Sequence, residues 1–199
     1  MSLGKQSKVL SDKQVEIVLS YILNRRNSSR NKVVFLLSVK SGLRAKEIAD
    51  ITWAMVCNSH GEIGDTINLT NTASKGNSGR IVPINKHLKI ALIEYYELEK
   101  INKTFNIHTS SIIRTERSLN TSAQAIVNMF KNWYKELGFV GCSSHSGRRT
   151  FITNASKKIS LVGGSLRDIQ VMAGHKNLQT TQRYIDYDTD CQRRIVDLV

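Results

Sequence analysis

The stretch HSGRRTFITNASKKISLVGGSLRDIQVMAGHKNLQTTQRY, residues 145–184, decides the fold class. Apolar residues recur through it at helical spacing, and Gly163-Gly164 and Gly174 interrupt the pattern. The reading is three helices, His145–Lys158, Leu166–Ala173 and Leu178–Tyr184, with the glycines as punctuation. The same forty residues hold His145, Arg148, His175 and Tyr184. His145 and Arg148 lie three apart, so on a helix they share a face and can reach one ligand.

Upstream the pattern stays helical over Ser122–Leu137 and Lys86–Lys100 and then changes. Between Met55 and Ile84, the segments Met55–Cys57, Thr66–Leu69 and Arg80–Val82 read as short strands. Their connections, 58–61 and 73–79, are built from turn formers, and Pro83 fits a sheet edge. Further back, Ala45–Ile51 leads to Trp53, Lys32–Val39 ends near Ser41-Gly42, and Ser11 with Gln14 forms a capping box before Val15, Val18 and Ile22. The expected fold is therefore mainly α with a small antiparallel three-stranded β-sheet, an α+β domain. With no Pro- or Ser-rich linker and no repeat, residues 11–199 read as one domain behind a flexible basic lead, 1–10.

A chain of 199 residues is long enough to bury a real core. Its 29 Lys and Arg against 16 Asp and Glu give a formal charge of +13, which favours polyanions, nucleic acid above all. Charge alone fits a merely basic enzyme equally well. Cys57, Cys142 and Cys191 are odd in number and widely spaced, so neither a disulfide framework nor a zinc site is expected, and a reducing cytoplasm suits them. No run has the length of a membrane span, and no signal-peptide core opens the chain.

Two further residues join the set. Arg44 stands in SGLRAKEI, residues 41–48, and Lys75 in the glycine-rich turn ASKGNSGR, residues 73–80. Two guanidiniums, two imidazoles, an ammonium and a phenol suit attack on a phosphodiester, whose non-bridging oxygens gain charge as it reacts. Arginine binds two such oxygens in a planar fork and stays protonated, which makes Arg44 and Arg148 the candidate clamp. The plainer reading of Arg44 is a helix pair with Glu47, and that of Lys75 is a solvated hairpin lysine. His60, His87 and His108 lie in turns or polar stretches and read as ordinary residues. Asn71, Lys75, Asn77, Arg80, Lys86 and Arg149 are candidate contacts to phosphates, which position a protein without reading sequence.

Four segments in order carry a resemblance: SGLRAKEIADITW (41–53), ASKGNSGRIVPI (73–84), HSGRRTFITNA (145–155) and AGHKNLQTTQRY (173–184). Together they resemble the catalytic domain of the tyrosine recombinase, or phage integrase, family, over nearly the whole chain. The resemblance implies that His145 helps move the tyrosine proton, that His175 donates a hydrogen bond to a phosphate oxygen, and that Lys75 protonates the departing 5′-oxygen. It makes Tyr184, nine residues after His175, the nucleophile rather than Tyr187. It implies double-stranded DNA as substrate, a 3′-phosphotyrosyl intermediate, no cofactor and no metal. It also implies a tetramer on paired sites, with accessory DNA-bending proteins compatible. Residues 185–199 would pack on a neighbouring protomer or on their own domain. A location in the bacterial cytoplasm or nucleoid, host- or phage-encoded, follows. The chain departs from the family's usual pattern at Arg149, where a second histidine is common, and at Gly147 and Ala173, where leucine is. Family members often carry an N-terminal helical domain that completes a clamp on DNA, so this chain resembles a catalytic domain alone or a piece of a longer protein. The rival readings are a type IB topoisomerase-like relaxing enzyme and a non-catalytic DNA-binding regulator on the same fold.

Overall fold

A computed structural model describes residues 6–71, 73, 79–116, 118–184 and 196–197. Helix α1 spans Asp12–Leu23, and the Ser11–Gln14 capping box closes its first turn in both directions. Helix α2, Ser28–Ser41, is the central strut: Val33 through Val39 are all buried, so it is apolar on every side as a core helix must be. It packs against α1, against α4 (Lys86–Lys100) and against α6 (Ser146–Lys158). The short helix α3, Ala45–Asp50, lies on α5, Ala123–Glu136.

The sheet has two strands, not the three expected. Strands β1, Thr66–Leu69, and β2, Arg80–Pro83, pair antiparallel with Ile67 opposite Val82 and Leu69 opposite Arg80. Ile67, Leu69 and Val82 face the core, whereas Ile81 faces out. The expected first strand, Met55–Cys57, instead follows a 3-10 turn over Trp53–Met55, with only an isolated bridge between Cys57 and Ile63. Met55, Val56 and Cys57 all donate back to Thr52 or Trp53, so their amides are spent locally and cannot form a ladder.

The core is one large cluster built on α1, α2, α4 and α5, with Trp53 fully buried against Tyr95, Tyr96 and Phe105. A smaller cluster of Ile152, Ile169 and Ala173 joins α6 to α7, Leu166–Ala173, and Tyr184 rests against it. Helix α8, Leu178–Gln182, follows α7 after Gly174, which ends α7 in a left-handed conformation. The described part of the basic lead, residues 6–10, lies on this body: the Lys8 amide donates to the Gly141 carbonyl, and the Leu10 amide donates to Thr150 with its side chain buried. No helix among the described residues is long and apolar enough to cross a membrane.

Candidate active site

The end of α2 sets the site's floor. Gly42 takes φ of +65° and closes the helix by donating to Ser38, while Leu43 donates to Leu37. A β-carbon on Gly42 would lie 2.5 Å from Phe151, so only glycine allows α6 to cross here. The carbonyl of Gly42 then accepts from Arg148 Nη1 at 2.6 Å. The first and third motifs, a hundred residues apart in sequence, thus meet through one helix cap.

Glu47 organises the cations. Its carboxylate is fully buried and accepts from the Arg44 amide at 2.8 Å, from Arg44 Nη1 at 2.9 Å, and from Arg80 Nη1 and Nη2 at 2.9 and 3.1 Å. Burial alone would raise its pKa, but the hydrogen bonds and charges of Arg80 and Arg44 outweigh that and hold it below the ordinary value. Arg44 Nη2 reaches the Gly174 carbonyl at 3.3 Å, and its side chain stays about one quarter exposed. Arg80 is placed differently from the surface contact expected of it. Its side chain is 5% exposed, and its Nε donates to the Met172 carbonyl. It ties β2 to α3 and α7 and leaves Arg44 as the cation that opens to solvent.

Arg148, on α6, is buried and donates to two carbonyls, those of Gly42 and Ala173. Its Nη2 also lies 2.8 Å from His175 Nε2, and His175 Nδ1 lies 2.9 Å from Thr181 Oγ1. Burial, then the charges of Arg148, Arg44 and Arg80, lower the His175 pKa to about 4, so the imidazole is neutral at pH 7. Burial, and then Arg44, lower the pKa of Arg148, which nonetheless remains a cation. The Gln170 side chain donates to the His175 carbonyl and fixes the turn that carries this ring.

Tyr184 lies directly on that imidazole, ring centroids 5.4 Å apart and planes 20° from parallel. Its amide donates to the Thr181 carbonyl, and its carbonyl accepts from Thr153 on α6. Arg44, Arg148, His175 and Tyr184 are therefore brought into one connected group. His145 occupies the N-cap position of α6 with its side chain exposed, whereas Arg148, three residues on, is buried. His145 instead lines, with Tyr184, Arg149, Thr180 and Arg183, a cavity of about 330 Å³. Ser7 closes one side of it, with its hydroxyl on Ser143 and its carbonyl accepting from Arg149 Nη1. A second cavity, about 220 Å³, is lined by Arg80, Arg167, His175 and Lys176.

The remaining candidates are spread. Lys75 and Asn77 lie outside the described residues, as does Tyr187. Asn71 accepts from the Gly79 amide and so holds together the mouth of the hairpin. Lys86 is exposed on the first turn of α4. From sequence Glu47 reads only as a partner of Arg44, and its hold on Arg80 depends on β2 lying beside α3. Thr181 has no sequence signal, because a threonine on a polar helix carries no mark of what its hydroxyl meets.

Comparison with known proteins bears on the family and the fold. Residues 8–190 match the model of the phage integrase family. The chain is 26% identical over 203 residues to tyrosine recombinase XerC of Shewanella sp. (strain ANA-3), covering 99% of this chain and 63% of that protein. It is 25% identical to tyrosine recombinase XerA of Pyrococcus horikoshii, again covering 63% of the relative and 97% of this chain. The chain therefore spans less than two thirds of those relatives' length. The crystal structure of a XerA recombinase superposes with a TM-score of 0.74 at 21% identity, covering 97% of this chain and 65% of that one. A Tn1549 transposon integrase in complex with a circular intermediate DNA gives 0.74 at 19%, covering 97% and 66%. These structural likenesses bear on the fold.

Proposed function

We propose that this chain, which belongs to the phage integrase family, is a site-specific DNA recombinase that cuts and rejoins strands through a 3′-phosphotyrosyl intermediate on Tyr184. The observation that carries the reading is the contact of Tyr184 with His175, and of His175 with Arg148, beside a second arginine held by a buried carboxylate. A phenol with cations at its flank, next to a cleft open to solvent, suits nucleophilic attack on an anionic ester.

In the proposed reaction Arg44 and Arg148 take the non-bridging oxygens of the scissile phosphate. Arg44 has solvent access already, and Arg148 exchanges its Nη2 contact with His175 for an oxyanion, a stronger acceptor. The Tyr184 oxygen bonds to phosphorus, the bond to the 5′-oxygen breaks, and that oxygen takes a proton. Lys75 is the proposed donor of that proton, and His145 the proposed acceptor of the phenol's. One phosphodiester replaces another, so the ester bond energy is kept for the return attack by a 5′-hydroxyl. Lys86, Arg149, Asn71 and Asn77 are proposed to lie along the DNA backbone. Arg80, buried on Glu47, serves the fold of the site.

A single catalytic domain over 11–199 is proposed, in keeping with the packing of α6 on α2 and of α7 on α6. The wider assembly is likewise proposed: two protomers on each core site, four in the synapse, with residues 185–199 reaching a neighbour. A DNA duplex nicked just beyond the cleavage point tests the reaction. Loss of the short 5′-hydroxyl fragment should trap protein on the 3′ end. Binding without any covalent species would reject the enzymatic reading in favour of a DNA-binding protein on this fold.

A further inference from the structure

We infer that Thr181 is a positioning residue whose hydroxyl lets His175 change tautomer between the empty and the DNA-occupied site. The inference rests on the function proposed above and adds to it a residue that acts through another.

Arg148 cannot accept a hydrogen bond, so at 2.8 Å its Nη2 must donate to His175 Nε2. Nε2 therefore presents a lone pair, and the proton of the neutral ring sits on Nδ1. That proton points at Thr181 Oγ1, 2.9 Å away on a residue with no solvent exposure. In this state His175 has nothing to give a phosphate. When a phosphate oxygen takes the Arg148 Nη2, the Nε2 lone pair faces an oxyanion, which is repulsive. The repulsion becomes a hydrogen bond if the ring proton moves from Nδ1 to Nε2. Nδ1 then needs a donor, and the group it faces is the buried Thr181 hydroxyl.

A hydroxyl is the side-chain group that accepts from N–H and donates to a lone pair without moving its oxygen. Valine offers neither and leaves a buried ring nitrogen unsatisfied in both states. The balance is neutral: one proton enters at Nε2 and one leaves at Nδ1, both exchanged with water as the site opens to DNA. Thr181 also accepts the Tyr184 amide on its carbonyl, so the residue that steers the imidazole holds the nucleophile's backbone as well.

The test combines nitrogen-15 histidine spectra with cleavage. In the free protein His175 should be the Nδ1–H tautomer. With nicked duplex bound in a Tyr184→Phe background it should become Nε2–H. In otherwise wild-type protein, Thr181→Ser should cleave within about threefold of wild type, while Thr181→Val should lose on the order of 10- to 100-fold in single-turnover cleavage with DNA affinity little changed. An Nδ1–H ring in the DNA complex, an Nε2–H ring in the free protein, or wild-type cleavage by Thr181→Val would each overturn the inference. The spectra of wild type stand whether or not Thr181→Val folds. Absence of any adduct from wild type, with the tautomer change observed, would reject the proposed reaction and spare the switch.

Discussion

Glu47→Gln keeps the shape of the side chain at the centre of the site and removes its charge. Four donors address the two carboxylate oxygens. A carboxamide offers one acceptor oxygen and turns an NH₂ group toward guanidinium nitrogens. Arg44 can relax into solvent, but the Arg80 side chain, 5% exposed, cannot. A buried cation that loses its partner costs about 3–5 kcal/mol. That is a large part of the roughly 5–15 kcal/mol that holds a domain together. At about 2–4 °C per kcal/mol for a chain of this size, the melting temperature should fall by roughly 6–20 °C. Thermal unfolding followed by circular dichroism reads this directly. In a double-mutant cycle, Arg80→Gln should then cost at least about 2 kcal/mol less in the Glu47→Gln background than alone. The acid limb should change too. Glu47 has a depressed pKa, so its stabilisation is complete above the ordinary carboxylate value of about 4.3 and is lost as pH falls through the folded value. A melting temperature within about 2 °C of wild type, or strictly additive effects, would refute the view of Glu47 as the shared anchor.

Three further outcomes follow from the same structure. The pKa of His175, about 4 against an ordinary 6.5, means that its neutral form is favoured on folding. The associated stability, about 3 kcal/mol, is complete above pH 6.5 and lost as pH falls toward 4, and a ring titrating near 6.5 in the free protein would contradict this. At Gly147 a β-carbon would lie 2.4 Å from the Ser38 hydroxyl. Gly147→Leu should therefore destabilise by about 2–3 kcal/mol in urea, and a neutral effect would show that α6 slides freely on α2. DNA affinity of the Tyr184→Phe protein should drop on the order of 100-fold from about 50 to 200 mM salt if four phosphates are neutralised, and a flat response would count against phosphate contacts.

Much of the fold was legible because its signals are local. The Ser11–Gln14 box, the run Leu166–Ala173 and the stop at Gly42 each depend on residues a few positions apart. Helix α2 starts earlier than its apolar pattern, because Asn27 takes φ of +58° and launches it through Ser28, Ser29 and Arg30. The expected strand at Met55–Cys57 failed for a related reason. Apolar content at Met55–Cys57 reflects burial beside Trp53, whereas its backbone bonds close into turns.

The site was legible as a set of residue types and less so as a geometry. Arg44, Arg148, His175 and Tyr184, named from their motifs, lie in one connected group. The sequence held a quiet clue that Arg80 differs from a surface cation: it lies two residues from Val82 and so shares the inward face of β2. What it meets there depends on how α3 and α7 sit against the sheet, which no local pattern records. The same holds for Thr181. Hydroxyls are common on polar helices, and only the fold decides which one meets a ring nitrogen.

The most direct measurement is the identity of the residue joined to DNA. Wild-type protein would be trapped on nicked duplex and digested, and the peptide carrying the nucleotide located by mass spectrometry. The account predicts the nucleotide on Tyr184, linked through a 3′-phosphate, and no such peptide from Tyr184→Phe protein that still binds the duplex. Attachment at Tyr187, at a serine, or through a 5′-phosphate would contradict it.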